Sequence, residues 1–353
     1  MAVHPLLARI GIELPIFQAP MAGTSTPAMA AAVSNAGALG ALGLAAEKLE
    51  GAGRMIAATR ALTDRPFNVN VFCHRPAVPD AQVEAAWILR FRPEFAALGA
   101  EPPGKLREIY QTFRGNQAMT ALLLETRPAV VSFHFGLPDQ DQIGALKQAG
   151  IILFGSATSV AEGQMLADAG LDAIVAQGYE AGGHRGVFDE NAPDDRLGSF
   201  ALTHLLARRI NLPAIAAGGI MDGAGIAAAL KLGAAAAQLG TAFVGCPESA
   251  ADDGYRAALA GDAANHTSMT RAISGRPARC LANRFTRLAE EIPDCDVPSY
   301  PITYDLGKAL HAAGKARGEF GFGAQWAGQG APLSRPMPAA ELVKLLAAEL
   351  AAA

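Results

Sequence analysis

The sequence predicts a TIM (β/α)8 barrel, and three observations carry that prediction. Eight short apolar runs recur along the chain, alternating with alanine-rich stretches of helical length. Most of these runs are apolar throughout, as strands of a parallel sheet buried on both faces must be. Polar or glycine residues close nearly every run on its C-terminal side, the side on which such barrels build their sites.

In order, the strands are read over 14–19, 38–42, 67–72, 129–133, 151–154, 173–176, 214–217 and 235–239. Helices are read over 27–36, 47–61, 158–169, 199–209 and 222–232, with a final helix over 339–352. Eight strand–helix units in about 240 residues match the size of a barrel. A doubly wound open sheet is the alternative, but it needs fewer strands and an early phosphate loop. The glycines at 37, 40 and 43 have the wrong spacing for that loop and lie on a strand. The stretch 99–105 imitates a phosphate-binding Gly-x4-Gly-Lys, yet Leu106 stands where Ser or Thr is required and two prolines fill the loop.

Two segments break the alternation. Residues 76–127 carry helical pattern and several prolines. Residues 246–330 carry Arg271, Arg276, Arg279, Arg284 and Arg287 and a proline- and tyrosine-bearing loop over 293–301. The second reads as an insertion between the last strand and the last helix, and the two together as a lid over the barrel mouth. The expected division is a barrel of 1–245 with 320–353, and a lid of 246–319. A separate C-terminal domain is the weaker reading, because about 80 residues with few strand signals make a poor core.

Composition narrows the class of function. Hydrophobic residues make up 51% and charged residues 18%, which suits a compact core and excludes global disorder. The net charge of -4 and the lack of basic runs with interleaved aromatics exclude nucleic acid and anionic membrane as expected partners. No apolar stretch approaches the roughly 18 residues of a membrane span, and the first residues lack the pattern of a secretory signal. Cys73, Cys246, Cys280 and Cys295 are scattered, so neither a metal site nor a disulfide framework is signalled, and a cytoplasmic location is expected.

The strand ends carry the chemistry. The first strand runs into Gln18-Ala-Pro-Met21-Ala22-Gly23, the third contains Asn68 and Asn70, and the fourth is followed by His134. The sixth leads into Gln177-Gly-Tyr-Glu-Ala-Gly182-Gly-His184-Arg-Gly186, where a histidine is held among glycines that let backbone approach a ligand. The seventh ends in Gly218-Gly219 and the eighth in Gln238-Leu-Gly240-Thr241. In this fold a phosphate commonly sits between the last two strand-end loops, on backbone N–H groups. Asn70, Gln177 and Gln238 then offer amides to a flat heterocycle. A flavin with one phosphate fits, and no dinucleotide fingerprint suggests FAD.

These motifs resemble the nitronate monooxygenase family, formerly called 2-nitropropane dioxygenase. The likeness rests on 18–23, 67–70, 177–186, 217–220 and 238–241, runs in order from about residue 10 to 330, and is most specific at 177–186. It implies a TIM barrel with non-covalent FMN, contacted by Asn70, Gln177, Gly182, Gly219, Gln238, Gly240 and Thr241, with Met21, Ala22 and Gly23 near the isoalloxazine ring. It makes His184 the catalytic base. It also implies that the segment 323–330, with Trp326 and Gln329, folds back toward the flavin. The implied reaction is oxidation of an alkyl nitronate by FMN and O₂ to a carbonyl compound and nitrite.

On the substrate side, Tyr300, Tyr304 and Lys308 share one lid segment and Tyr110 lies on the other. Phenol and ammonium donors suit a small anion, so a nitronate that also bears a carboxylate, such as propionate 3-nitronate, is the expected substrate. His134 is a second candidate substrate contact, His74 is ambiguous, and His4, His204, His266 and His311 read as surface residues. Cys73 has no paired base and is not read as a nucleophile. Two other functions remain open. One is an FMN-dependent NAD(P)H:quinone or enoyl-thioester reductase on the same barrel; the other is a non-catalytic flavin-binding sensor, against which His184 argues.

Overall fold

The computed structural model describes residues 4–353. Its strands are β1 (Ile16–Gln18), β2 (Gly40–Gly43), β3 (Phe67–Phe72), β4 (Val130–His134), β5 (Ile152–Ala157), β6 (Ala173–Gln177), β7 (Gly183–His184), β8 (Ala214–Ala217), β9 (Ala236–Leu239), β10 (Thr267–Thr270) and β11 (Ala278–Leu281). Eight of them form one parallel sheet in the order β1-β9-β8-β6-β5-β4-β3-β2. A parallel bridge between Phe17 and Leu39 brings β1 back to the segment that opens β2, so the sheet closes as a TIM barrel.

The period of two along each strand sorts the side chains. On β4, Val131 and Phe133 point outward into a large apolar cluster shared with the surrounding helices. Val130 points inward and joins Phe17, Phe154, Val175 and Ile215. That inner cluster is completed by Leu6, Leu7, Ile10 and Ile12, carried by a short helix, Pro5–Ile10, and the turn after it. The base of the barrel is thereby plugged with apolar side chains. Further along the same inward rows come Asn70, Ser132, His134, Ser156 and Gln177, so polarity rises toward the C-terminal ends of the strands.

The outer helices begin where side-chain acceptors are available to their first N–H groups. Thr26 accepts from Met29 ahead of Pro27–Asn35, Ser159 from Glu162, and Asp222 from Gly225. The helix Ala339–Ala352 packs against the helices Pro27–Asn35 and Gly223–Lys231 and completes the ring. No helix among the described residues is long and apolar enough to cross a membrane.

Two helices lie outside the expected set: the plug at the base of the barrel and, in the ring, Gln140–Gln148. The second has few apolar residues, burying only Gln142, Ile143 and Leu146, so its periodicity is faint. The segment 76–127 resolves into the helices Ala81–Ala97 and Gln117–Thr126 with irregular chain between them. Trp87, Phe91 and Phe95 of the first pack with Ala272, Ile273, Phe285, Ile302, Leu306 and Phe322. The region after β9 therefore shares a core with a helix from the other end of the chain. Within it β10 and β11 pair as a hairpin, and β11 pairs with β7, placing Ala278 opposite His184. This small sheet corrects the reading of 177–186 as a free loop. Thr-Ser-Met-Thr and Ala-Arg-Cys-Leu are too short and too polar to announce strands by pattern.

Candidate active site

A cavity of about 460 Å³ opens over the C-terminal ends of the barrel strands, of a size suited to a small-molecule ligand. Its floor is barrel and its roof is lid. The helix Ile302–Lys315 runs across it and lays Tyr304, Lys308, His311 and Lys315 along the roof, at spacings of three and four that keep them on one face. The segment 323–330 crosses another side. It is strapped by an antiparallel bridge from Trp326 to Cys280, by Gly328 N–H donating to Thr241 Oγ1 at 3.0 Å, and by Gln329 N–H donating to the Glu180 carbonyl at 2.9 Å.

The loop after β6 is folded by its own first residue. Gln177 Nε2 donates to the His184 carbonyl at 2.9 Å, while Gln177 Oε1 accepts from Gly186 N–H at 2.7 Å. The amide expected to face a heterocycle is thus spent on the loop, although its side chain still borders the cavity. A Cβ at Gly186 would lie 2.8 Å from His134 Cε1, which is why the loop passes there only as glycine. Buried Arg185 clamps the next turn with two bonds to Asp194, at 2.8 and 2.9 Å. Glu180 accepts from Ser199 N–H at 2.8 Å and so fixes the loop to the start of the following helix.

His184 ends up on the cavity wall inside a ring of aromatic groups. Trp326, Tyr300, Phe135, Tyr304 and Phe72 have ring centroids 5.1 to 6.2 Å from it. Its Nε2 bonds Ser274 Oγ at 2.9 Å. Burial, reinforced by His134, Arg276 and His74, holds the imidazole well below its ordinary 6.5, so it is neutral at pH 7. His134 borders the cavity, but both its nitrogens are engaged, with Ser156 Oγ at 3.0 Å and the His184 carbonyl at 3.1 Å. Its role is to hold His184, and burial brings its pKa down to about 4. Buried His74 packs edge-on against Tyr300, and burial with nearby Arg276 lowers it likewise to about 4.

Lys308 Nζ donates to Tyr110 Oη at 2.6 Å and lies over the rings of Tyr110 and Tyr304. Tyr300 and Tyr304 sit beside His184, with their phenols held protonated by burial. Tyr110, Tyr300, Tyr304 and Lys308, from two segments far apart in the chain, thus meet on the cavity wall. Elsewhere on the wall lies a cluster that the sequence did not predict. His311, read as a surface residue, is half-buried 3.4 Å from Asp252, which also pairs with Lys315 at 3.1 Å. The i, i+3, i+4 spacing with Tyr304 and Lys308 was the available signal for His311 and Lys315; Asp252 had none.

Opposite the lid, Gly218 and Gly219 adopt φ of 116° and 73°, a conformation that only glycine takes readily. Among the described residues, the backbone N–H groups of Gly218, Gly219, Gly240 and Thr241 donate to no protein acceptor, although all four residues line the cavity. The side-chain amide of Gln238 and the side-chain oxygen Oδ1 of Asn70 likewise lack partners among the described residues, whereas Asn70 Nδ2 is bonded to Ser132. Met21, Ala22, Gly23, Gly182 and Trp326 border the same space. Gln329 does not. Its side chain is exposed, because the backbone bond to Glu180 turns it to the outside of the strap.

A family model described as nitronate monooxygenase matches residues 4–349. The chain belongs to the nitronate monooxygenase family. A relative from Paraburkholderia phytofirmans named nitronate monooxygenase is 62% identical, over 98% of this chain and 94% of its own length. One of the same name from Pseudomonas aeruginosa is 53% identical over 97% of each. Among solved structures, nitroalkane oxidase from Streptomyces ansochromogenes superposes with a TM-score of 0.90 at 40% identity, covering 98% of both chains. FabK from Thermotoga maritima superposes with a TM-score of 0.73 at 29% identity, covering 98% of this chain and 96% of its own. The chain is accordingly an oxidoreductase of a flavin-dependent family. The open N–H groups at 218–219 and 240–241 fit a phosphate, and the unpartnered Asn70 Oδ1 and Gln238 side-chain amide fit a polar ring edge.

The buried histidines make stability depend on pH. Each of His74 and His134 has a folded pKa below its unfolded value of about 6.5, so on acidification the unfolded chain takes up the proton first. Their contribution is whole above pH 6.5 and is lost as pH falls toward 4. Urea unfolding at pH 5 should show a loss on the order of 2 kcal/mol per histidine relative to pH 7.5. His134→Gln should remove one share of that loss. An unchanged pH slope in the variant would refute the assignment.

Proposed function

We propose that this protein oxidises alkyl nitronates with O₂, giving a carbonyl compound and nitrite, with FMN as the resident cofactor. The observation that carries the proposal is a neutral imidazole, His184, on the wall of a cavity that also presents an open backbone cradle for one phosphate. Gly218, Gly219, Gly240 and Thr241 would hold the phosphate, the Gln238 side chain and Asn70 Oδ1 the ring edge, and Met21, Ala22, Gly23, Gly182 and Trp326 the faces and flanks of the flavin. The flavin, when bound, supplies the electron acceptor. Residues 1–245 with 320–353 serve as the cofactor-binding barrel and 246–319 as lid. Three of the four free cysteines are buried and none is bridged, which supports a reducing, cytoplasmic setting.

What the chain's own groups do follows from their surroundings. A nitronate arrives already deprotonated. A neutral nitroalkane must lose its α-proton, and His184, kept uncharged by burial, is the group that receives it. The aromatic ring around it excludes water. Tyr300 and Tyr304, with protonated phenols, are donors for a nitro or nitronate oxygen. Lys308 with Tyr110 forms a cationic corner suited to a second anionic group, and this favours propionate 3-nitronate among the substrates. The likeness to FabK raises the reductase reading, but Tyr304, Lys308 and Trp326 crowd the cavity wall and argue against entry of a nicotinamide there.

Heat release of the chromophore from the purified protein should yield FMN; FAD in the supernatant would overturn the monophosphate cradle. His184→Asn should keep the flavin spectrum yet lower kcat/KM on nitroethane at least a hundredfold. Undiminished turnover would remove the base role. Lys308→Met should weaken propionate 3-nitronate far more than ethylnitronate in kcat/KM. An equal loss on both substrates would rule out carboxylate recognition.

A further inference from the structure

We infer that Ser274, a residue outside the cavity, sets the tautomer of His184 so that Nδ1 is the proton acceptor. This rests on the base role proposed for His184. Ser274 is fully buried in the turn between β10 and β11, behind the imidazole as seen from the cavity. Its Oγ lies 2.9 Å from His184 Nε2 and 3.2 Å from the Arg276 carbonyl oxygen. A serine hydroxyl has one proton to give. The Arg276 carbonyl has no other donor among the described residues, so turning the hydroxyl toward Nε2 would leave a buried carbonyl without a partner, at substantial cost. The hydroxyl therefore donates to Arg276 and accepts from His184 Nε2–H. With the proton held at Nε2, the lone pair stands on Nδ1, which makes no hydrogen bond to any described residue.

The backbone makes the alignment rigid. β11 pairs with β7, Ala278 opposite His184, so the hairpin that carries Ser274 is hydrogen-bonded to the residue it orients. Arg185 N–H donating to the Pro277 carbonyl at 2.8 Å extends the same contact. In the step this arrangement serves, the Cα–H bond of a nitroalkane breaks and its electron pair moves into the nitro group. The proton goes to Nδ1, while the Nε2 proton stays on its bond to Ser274. That bond strengthens when the ring becomes cationic, which partly offsets the cost of charging a buried imidazole. The other titratable or charged groups facing the ring are His134 from β4, His74 beyond β3, Tyr300 and Tyr304 from the lid, and Arg276 from the hairpin. None of them hydrogen-bonds a ring nitrogen of His184. Ser274 is a positioning residue, since it touches neither substrate nor cofactor.

Nitrogen NMR of the holoenzyme carrying 15N-histidine, with His184→Asn as the subtraction control, reads the tautomer directly. A protonated Nε2 and an unprotonated Nδ1 are expected for His184; a protonated Nδ1 would overturn the inference. Ser274→Ala should lower kcat/KM on nitroethane about tenfold, leave ethylnitronate within about twofold, and shift the acid limb of the nitroethane profile to lower pH. Ser274→Thr, which keeps the hydroxyl, should restore both. Equal losses on the two substrates, or an acid limb that stays in place, would mean that Ser274 is only structural. The tautomer measurement does not depend on turnover, so a failure of the base role in His184→Asn is distinguishable from a failure here.

Discussion

The two hydrogen bonds of the Gln177 side chain, one to the His184 carbonyl and one from Gly186 N–H, are what the rest of the site depends on. They tie the glycine-bearing segment 177–186 back to the end of β6, which is paired on both sides in the barrel wall. Without them the loop would have no internal register, because glycines impose little conformation of their own. With them, His184 is held at the cavity wall, His134 can bond the same carbonyl, and Gly186 can pass close over the His134 ring. Barrel and lid then meet through β7 and β11, so a side chain on a hairpin from late in the sequence comes to lie behind the imidazole.

Burial does the electrostatic work. Three histidines, His74, His134 and His184, are all pushed toward the neutral form by the same low-polarity surroundings, and Arg276 nearby adds to each shift. For His184 the result is an imidazole left uncharged at neutral pH, as the proposed base role requires. For the other two it is a stability that falls in acid. The same aromatic packing that keeps water away from the imidazole keeps the lid phenols protonated, so donors and acceptor coexist within a few ångströms. Function and acid sensitivity have one physical origin.

The roof is economical in a different way. One helix face, Tyr304, Lys308, His311 and Lys315, lines much of the cavity: Lys315 is paired with Asp252, beside which His311 also lies, whereas Lys308 is hydrogen-bonded to the neutral Tyr110 hydroxyl and keeps its charge uncompensated by any ion pair among the described residues. The apolar side of the same helix packs on Phe285 and Phe322 and, through them, on the helix Ala81–Ala97. The region after β9 and the helix Ala81–Ala97 therefore form a second small core, tied to the barrel by the segment 323–330.

Periodicity alone carried the barrel, because a strand buried on both faces must be apolar along its length, and each of the eight runs became a wall strand within a few residues. Glycines and amides at the strand ends were legible as well, since close backbone approach and open N–H groups leave a compositional trace. Other features had no such trace. β7 pairs with β11 across about 95 residues of chain, β10 pairs only with β11 in a hairpin, and the short sequences of all three look like loop. The use of Gln177 on its own loop, the outward turn of Gln329 and the burial of His311 beside Asp252 depend on which polar neighbour the fold brings within reach. A chain written in one dimension names the donors and acceptors, but only the folded molecule decides which of them are already spent on each other and which are left to face a ligand.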